Sequence, residues 1–181
     1  MSTPSSSASS ARIRRPRAGE VAASFQAYAD EARVDDPLAA LERGLVETTT
    51  LVTSFGEARG GHRYAPGKWS VREVVGHISD GERIFAYRAF RMARGDATPL
   101  AAFDEDAYVA ASGYDRRTLA DLLEEFTTLR RASLQLFRSF EPEVWERRGT
   151  AGGNPFVVCA FPWLLVGHEN HHRRVLRERY L

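Results

Sequence analysis

A chain of 181 residues, 43% hydrophobic and 27% charged, has the composition of one soluble domain with a full core. Its apolar runs are a handful of residues long, well short of the roughly 20 that a membrane-spanning helix needs, and its single cysteine, Cys159, excludes an internal disulfide, which fits the cytoplasm. The net charge of +1 is unevenly spread: residues 1–18 hold Arg12, Arg14, Arg15 and Arg17 and no acid, which leaves 21 basic against 24 acidic residues, or −3, on the remainder.

Those first 18 residues, MSTPSSSASSARIRRPRA, are Ser-rich and basic with no apolar run, so they read as a disordered tail, with residues 19–181 as the domain. They lack the apolar stretch of a secretory signal. Four arginines without aromatic interleaving or a DNA-reading motif argue against nucleic acid as a partner. Val21, Phe25 and Tyr28 then predict a short packed segment. From Leu38 onward Leu41, Leu45, Val52 and Phe55 recur at helical spacing, with Thr48 in the one gap, and predict a first long helix.

The second helix marks its own start. In KWSVREVV, Ser70 can cap the free N–H groups while Glu73 reaches back to it, with Trp69 and Val74 as a hydrophobic staple. Its stripe runs through Val75, Ile78, Phe85, Ala89 and Met92 and stops at Gly95. A third helix opens at Thr118, follows Leu119, Leu122, Leu123, Phe126, Leu129, Leu136, Phe137 and Phe140, and ends before Pro142. The stretch GTAGGNP reads as a linker to a fourth helix, which Pro162 forces to begin near Ala160 or Phe161. Between the second and third helices, residues 96–117 lack a sustained stripe yet hold Phe103, Tyr108 and Tyr114, the mark of a long connection across the end of a bundle. Four amphipathic helices and no convincing strand predict an all-α four-helix bundle.

Three of the chain's five histidines lie in GHENHHRR. At about 100° per residue, His168 and His172 fall on the apolar face of the fourth helix with Phe161, Leu164, Leu165 and Val175, whereas His171 lies at its edge and Trp163 points away from it. His77 lies at the margin of the second helix's apolar face, and Gly76 and Gly81 beside it leave room for a metal, a water or a ligand. A His pair at i, i+4 facing a third histidine is a metal-ligand pattern; the competing reading is a pair hydrogen-bonded to its neighbours. His62 reads as solvated. Outward Trp163 suggests a second subunit.

The segments YAPGKWSVREVVGHISDGERIFAYRAFRMARGD, TPLAAFDEDAYV, RGTAGGNP and GHENHHRRVLRERYL together resemble the DinB/YfiT-like family of bacterial metal-binding four-helix bundles, over roughly residues 20 to 181. The resemblance implies an up-down-down-up topology with residues 96–117 as the crossover, frequent homodimers, and His77, His168 and His172 as ligands of one divalent transition metal. Val157 and Pro162 depart from the family's usual start of the last helix. Three neutral imidazoles with an open position suit Zn²⁺, Ni²⁺, Fe²⁺ or Mn²⁺, and activate a water or a thiol. The expectation is therefore a metal-dependent enzyme acting on a small molecule, a thiol-dependent S-transferase using a low-molecular-weight thiol ahead of a hydrolase. The rival is a metal-stabilised dimeric module without turnover, to be told apart by whether the site opens into a cleft. Asp80 and Glu169 are placed to hydrogen-bond ligand imidazoles, and Asp104, Asp106 and Tyr108 in the crossover to orient a substrate or carry protons.

Overall fold

The computed structural model describes residues 12–181. A short helix, α1 (Ala23–Glu31), precedes α2 (Pro37–Phe55), where Asp36 accepts the Leu38 and Ala39 N–H groups and Pro37 takes the first helical position. The capping box at Ser70 and Glu73 is formed in full and starts α3 (Val71–Ala93). A second short helix, α4 (Glu105–Ser112), lies in the crossover; α5 (Leu119–Arg138) starts on the Thr118 cap; and α6 (Ala160–Val175) carries the histidine pair. No helix among the described residues is long and apolar enough to cross a membrane.

The long helices α2, α3, α5 and α6 form the bundle, with α2 and α3 each packed on α5 and α6. Its interior has two apolar clusters. One holds Leu41, Phe85, Met92, Phe137, Phe156 and Phe161, the other Val52, Val74, Ile78, Leu122, Phe126 and Leu176. Helices α2 and α6 run from the first cluster to the second, α3 and α5 from the second to the first, which is the up-down-down-up order. Between the clusters lies a buried polar layer: Thr48 on α2, His77 and Glu82 on α3, Arg130 on α5, and His168, Glu169 and His172 on α6.

Three expectations need correction. The crossover contains a helix, capped by the Asp104 side chain and ended by Gly113 at φ 70°. The expected linker GTAGGNP is the tip of an antiparallel hairpin, β1 (Arg148–Ala151) and β2 (Asn154–Val157), whose turn is Gly152 and Gly153 at φ 57° and 75°, where a residue with a Cβ would be strained. Leu100 pairs alongside Ala151, so the crossover and the hairpin tip are joined by backbone hydrogen bonds.

The third concerns the tail and Trp163. Residues 1–11 lie outside the described residues, but from Arg12 the chain packs on the body: Ile13 is buried, and Arg14 bridges Glu20 and Glu146. Hydrogen bonds from Arg14 hold the Glu20 carboxyl down at about 2. Arg15 caps the end of α1 by donating to the carbonyls of Ala29, Ala32 and Val34, and its guanidinium lies 4.2 Å over the Trp163 ring. Trp163 is 2% exposed and its indole N–H donates to the Arg14 carbonyl at 2.8 Å, so it faces this N-terminal stretch and gives no argument for a second subunit. The helical wheel misplaced it because α6 is covered on all sides over Ala160–Glu169.

Candidate metal centre

His77, on α3, and His168 and His172, one turn apart on α6, are all buried, and their ring nitrogens converge. The Nε2 atoms stand 2.9 Å apart between His77 and His168 and 3.1 Å between His168 and His172, and one donor atom from each residue lies within 4.8 Å of the others. Imidazoles sharing a tetrahedral cation at about 2.0 Å stand roughly 3.3 Å apart, so the donor set fits one ion of that size with little movement. Burial holds all three rings below the ordinary histidine range, His77 at about 4, so the neutral, ligating form prevails at neutral pH.

The small residues near the site have different uses from the room expected of them. A Cβ on Gly81 would come 2.6 Å from the His168 ring, so that glycine admits the imidazole itself; the space at Gly76 is filled by the Tyr114 ring. On α6, Gly167 lets the backbone of α1 pass so closely that a Cβ would overlap the Tyr28 carbonyl. Tyr28 is thereby set edge-on to His168 and His171, at 5.5 and 5.8 Å between ring centres. Trp69 tilts against His77 at 4.6 Å and Phe85 meets His168 at 5.9 Å.

His171 stays off the cluster, half-buried beside Arg174. Of the expected supporting residues, neither acid on the two ligand helices meets an imidazole. Asp80 is turned to Tyr114 and Arg83, its carboxyl raised by burial. Glu169 points across the bundle, accepting from Thr48 at 2.5 Å and from Arg130 at 2.8 Å, in space left by Gly44. Arg130 in turn grips Glu82 with two hydrogen bonds, at 2.9 and 3.1 Å, and donates to the Leu41 carbonyl. This ion triad pins α3, α5 and α6 together beside the histidines, which is where the sequence placed only ligand support. In the crossover, Asp104 is spent on its helix cap, Asp106 is exposed but close enough for its charge to oppose the drop at His77, and Tyr108 is half-exposed against Phe103. His62 is exposed, as expected.

A cleft of about 600 Å³ opens onto the cluster, with His77 and His168 in its wall. Its other sides come from α1 (Phe25, Tyr28), α3 (Phe85, Arg88), the crossover (Phe103) and the hairpin (Asn154). The sequence signal for part of this wall was present but unread: His77, Gly81, Phe85 and Arg88 advance by four, four and three, one face of α3. Cys159 is buried at the head of α6, its thiol pushed up to about 12 by burial, and lies outside this wall.

Comparison with solved structures finds the same architecture in YfiT from Bacillus subtilis, described as a probable metal-dependent hydrolase with an unusual four-helix bundle topology; the match has a TM-score of 0.73 at 17% identity over 91% of this chain and 90% of that one. A mycothiol-dependent maleylpyruvate isomerase matches with a TM-score of 0.65 at 13% identity, over 76% of this chain and 58% of that one. Comparison with curated proteins finds no match. The model of the DinB superfamily matches residues 40–176, from α2 through the histidine pair, and the chain therefore belongs to the DinB superfamily.

Proposed function

We propose that His77, His168 and His172 hold one divalent transition metal and that the protein is a cytoplasmic, metal-dependent enzyme acting on a small molecule. The observation that carries this reading is the cleft: two of the three convergent imidazoles form part of its wall, so the donor set is open to a molecule from outside rather than sealed in the core. That favours turnover over a metal that only stabilises the fold. The cation would supply Lewis acidity and favour the deprotonated form of a bound water or thiol. The chain's own residues do the rest. Trp69, Tyr28 and Phe85 wall the imidazoles and limit water around them, and burial keeps the rings unprotonated.

Two chemistries suit such a site, thiol-dependent S-transfer with a low-molecular-weight thiol and hydrolysis; of the two structural neighbours, one is described as a probable metal-dependent hydrolase and the other as a mycothiol-dependent isomerase. We place S-transfer first. Homodimerisation belongs to the same reading, though without Trp163 as its contact. The test is metal content per chain after dialysis. His77→Ala, His168→Ala and His172→Ala should each lose the metal or hold it far more weakly, while His171→Ala retains it. Thiol-consumption and ester-hydrolysis assays on the parent then choose between the chemistries. A full complement of metal in His77→Ala would overturn the two-helix site.

A further inference from the structure

Arg88 ends the α3 stripe that begins at His77, eleven residues and about 16 Å along the helix axis away. It is 4% exposed, yet it makes no ion pair with a described residue; it donates once, to the Ala101 carbonyl at 2.8 Å, and lies near the Phe103 and Phe156 rings at 5.5 and 5.9 Å. Burial pulls its pKa below the ordinary arginine value without a carboxylate to oppose it. The contrast with Arg130 is direct, since that buried guanidinium is held by two carboxylates. A buried cation without a counter-charge is costly, and this one lines the cleft that leads to the histidines.

We propose that Arg88 is the recognition point for the carboxylate of a small, singly charged ligand whose apolar body lies along Phe25, Phe85 and Phe103 toward His77 and His168. This deepens the enzymatic reading by giving its substrate a chemical class, and rests on it only in assigning both ends of the cleft to one molecule. The planar guanidinium fork suits a carboxylate, and the three phenylalanines suit an apolar body. A single anion is the charge match. The other arginine in the wall, Arg174, is paired with Glu31 at 3.1 Å, which leaves Arg88 as the guanidinium of the wall with no carboxylate partner among the described residues, and Glu105 in the same wall disfavours a second negative charge on the ligand.

The probes are benzoate, its uncharged counterpart benzamide, and inorganic phosphate, titrated by calorimetry into the protein as purified and after dialysis against a chelator, with metal content read on every sample. The parent should bind benzoate about tenfold or more tighter than benzamide, with or without metal. Arg88→Met should abolish that preference while leaving benzamide binding as in the parent, and Arg88→Lys, which keeps the charge but not the fork, should retain part of it. Equal binding of the two probes by the parent overturns the proposal. So does an equal loss for both probes in a folded Arg88→Met, which would mean that Arg88 only ties the crossover down through Ala101. If Arg88→Met does not fold, the parent comparison and Arg88→Lys decide, and an undiminished preference in Arg88→Lys counts against the fork. Phosphate displacing benzoate at equal concentration overturns the single-charge assignment. Benzoate binding that needs metal and ignores Arg88 would place the anion on the metal, sinking this proposal while the metal reading stands; a metal-free cluster with the Arg88-dependent preference intact would do the reverse.

Discussion

Replacing Arg130 by Met takes the cation out of the triad and leaves the Glu82 and Glu169 carboxylates buried without their shared partner. In the parent, four hydrogen bonds from one guanidinium reach two carboxylates and a backbone carbonyl, with all three side chains almost fully buried. Removing one member of such a group costs about 3–5 kcal/mol, because the charges left behind have lost both solvent and partner. For a domain of this size each kcal/mol lowers the melting temperature by roughly 2–4 °C, so Arg130→Met should melt about 6–20 °C below the parent. The assay is thermal unfolding by circular dichroism at neutral pH, with a urea titration for the free energy. Adding Glu82→Leu and Glu169→Leu to Arg130→Met should recover much of the loss, since an apolar core of similar volume carries no stranded charge. An Arg130→Met protein within about 1 kcal/mol of the parent would refute the premise that the triad is tightly coupled.

In metal-free protein, the histidines should make stability fall with acid: their rings are held neutral in the fold, so the unfolded chain binds protons first, and the loss begins below about 6.5 and continues to about 4 for His77. His77 alone accounts for about 3 kcal/mol over that window, to be read from urea midpoints at stepped pH. Gly81→Ala should weaken metal binding by displacing the His168 ring, seen as metal lost on dialysis from a protein that still folds. Trp163→Ala should cost about 3–5 kcal/mol in denaturant titrations, as deletion of a buried aromatic does, while elution volume on a sizing column stays that of the parent. Truncation to residue 19 should lower stability by about 2 kcal/mol or more, from the lost burial of Ile13 and the uncovering of Trp163; an unchanged melting temperature would show that this stretch contributes nothing.

The parts of the fold that were legible in the sequence are those written in local signals. The Ser70–Glu73 box, the Thr118 cap and the placement of Pro162 give helix starts, because each depends on neighbours within one turn. The inward His168–His172 pair and the position of His77 near an apolar face were legible from helical spacing, which left a hydrogen-bonded pair as the alternative; it was the resemblance to the family that joined the three into one ligand set. What escaped was non-local. The triad joins residues 82, 130 and 169: on their own helices Glu82 and Arg130 look like ordinary surface charges, and Glu169 like a partner for the imidazoles beside it. The tail's basic, Ser-rich composition hid Ile13 and the arginine contacts, whose partners lie more than a hundred residues away at Glu146 and Trp163. The hairpin was missed because four-residue strands are too short to show alternation, although Gly152-Gly153 is a hairpin-turn signal.

Helix α6 follows in the chain every long helix it packs against, and it brings two of the three histidines and one corner of the triad. During synthesis the earlier helices therefore emerge with an apolar groove where α6 belongs, and with Arg130 and Glu82 still open to water. His77 must wait for partners 91 residues later in the chain. Folding of this domain is in that sense gated by its last long helix: a nascent chain halted before α6 would have no metal centre, no completed triad and an exposed hydrophobic seam of the kind chaperones bind.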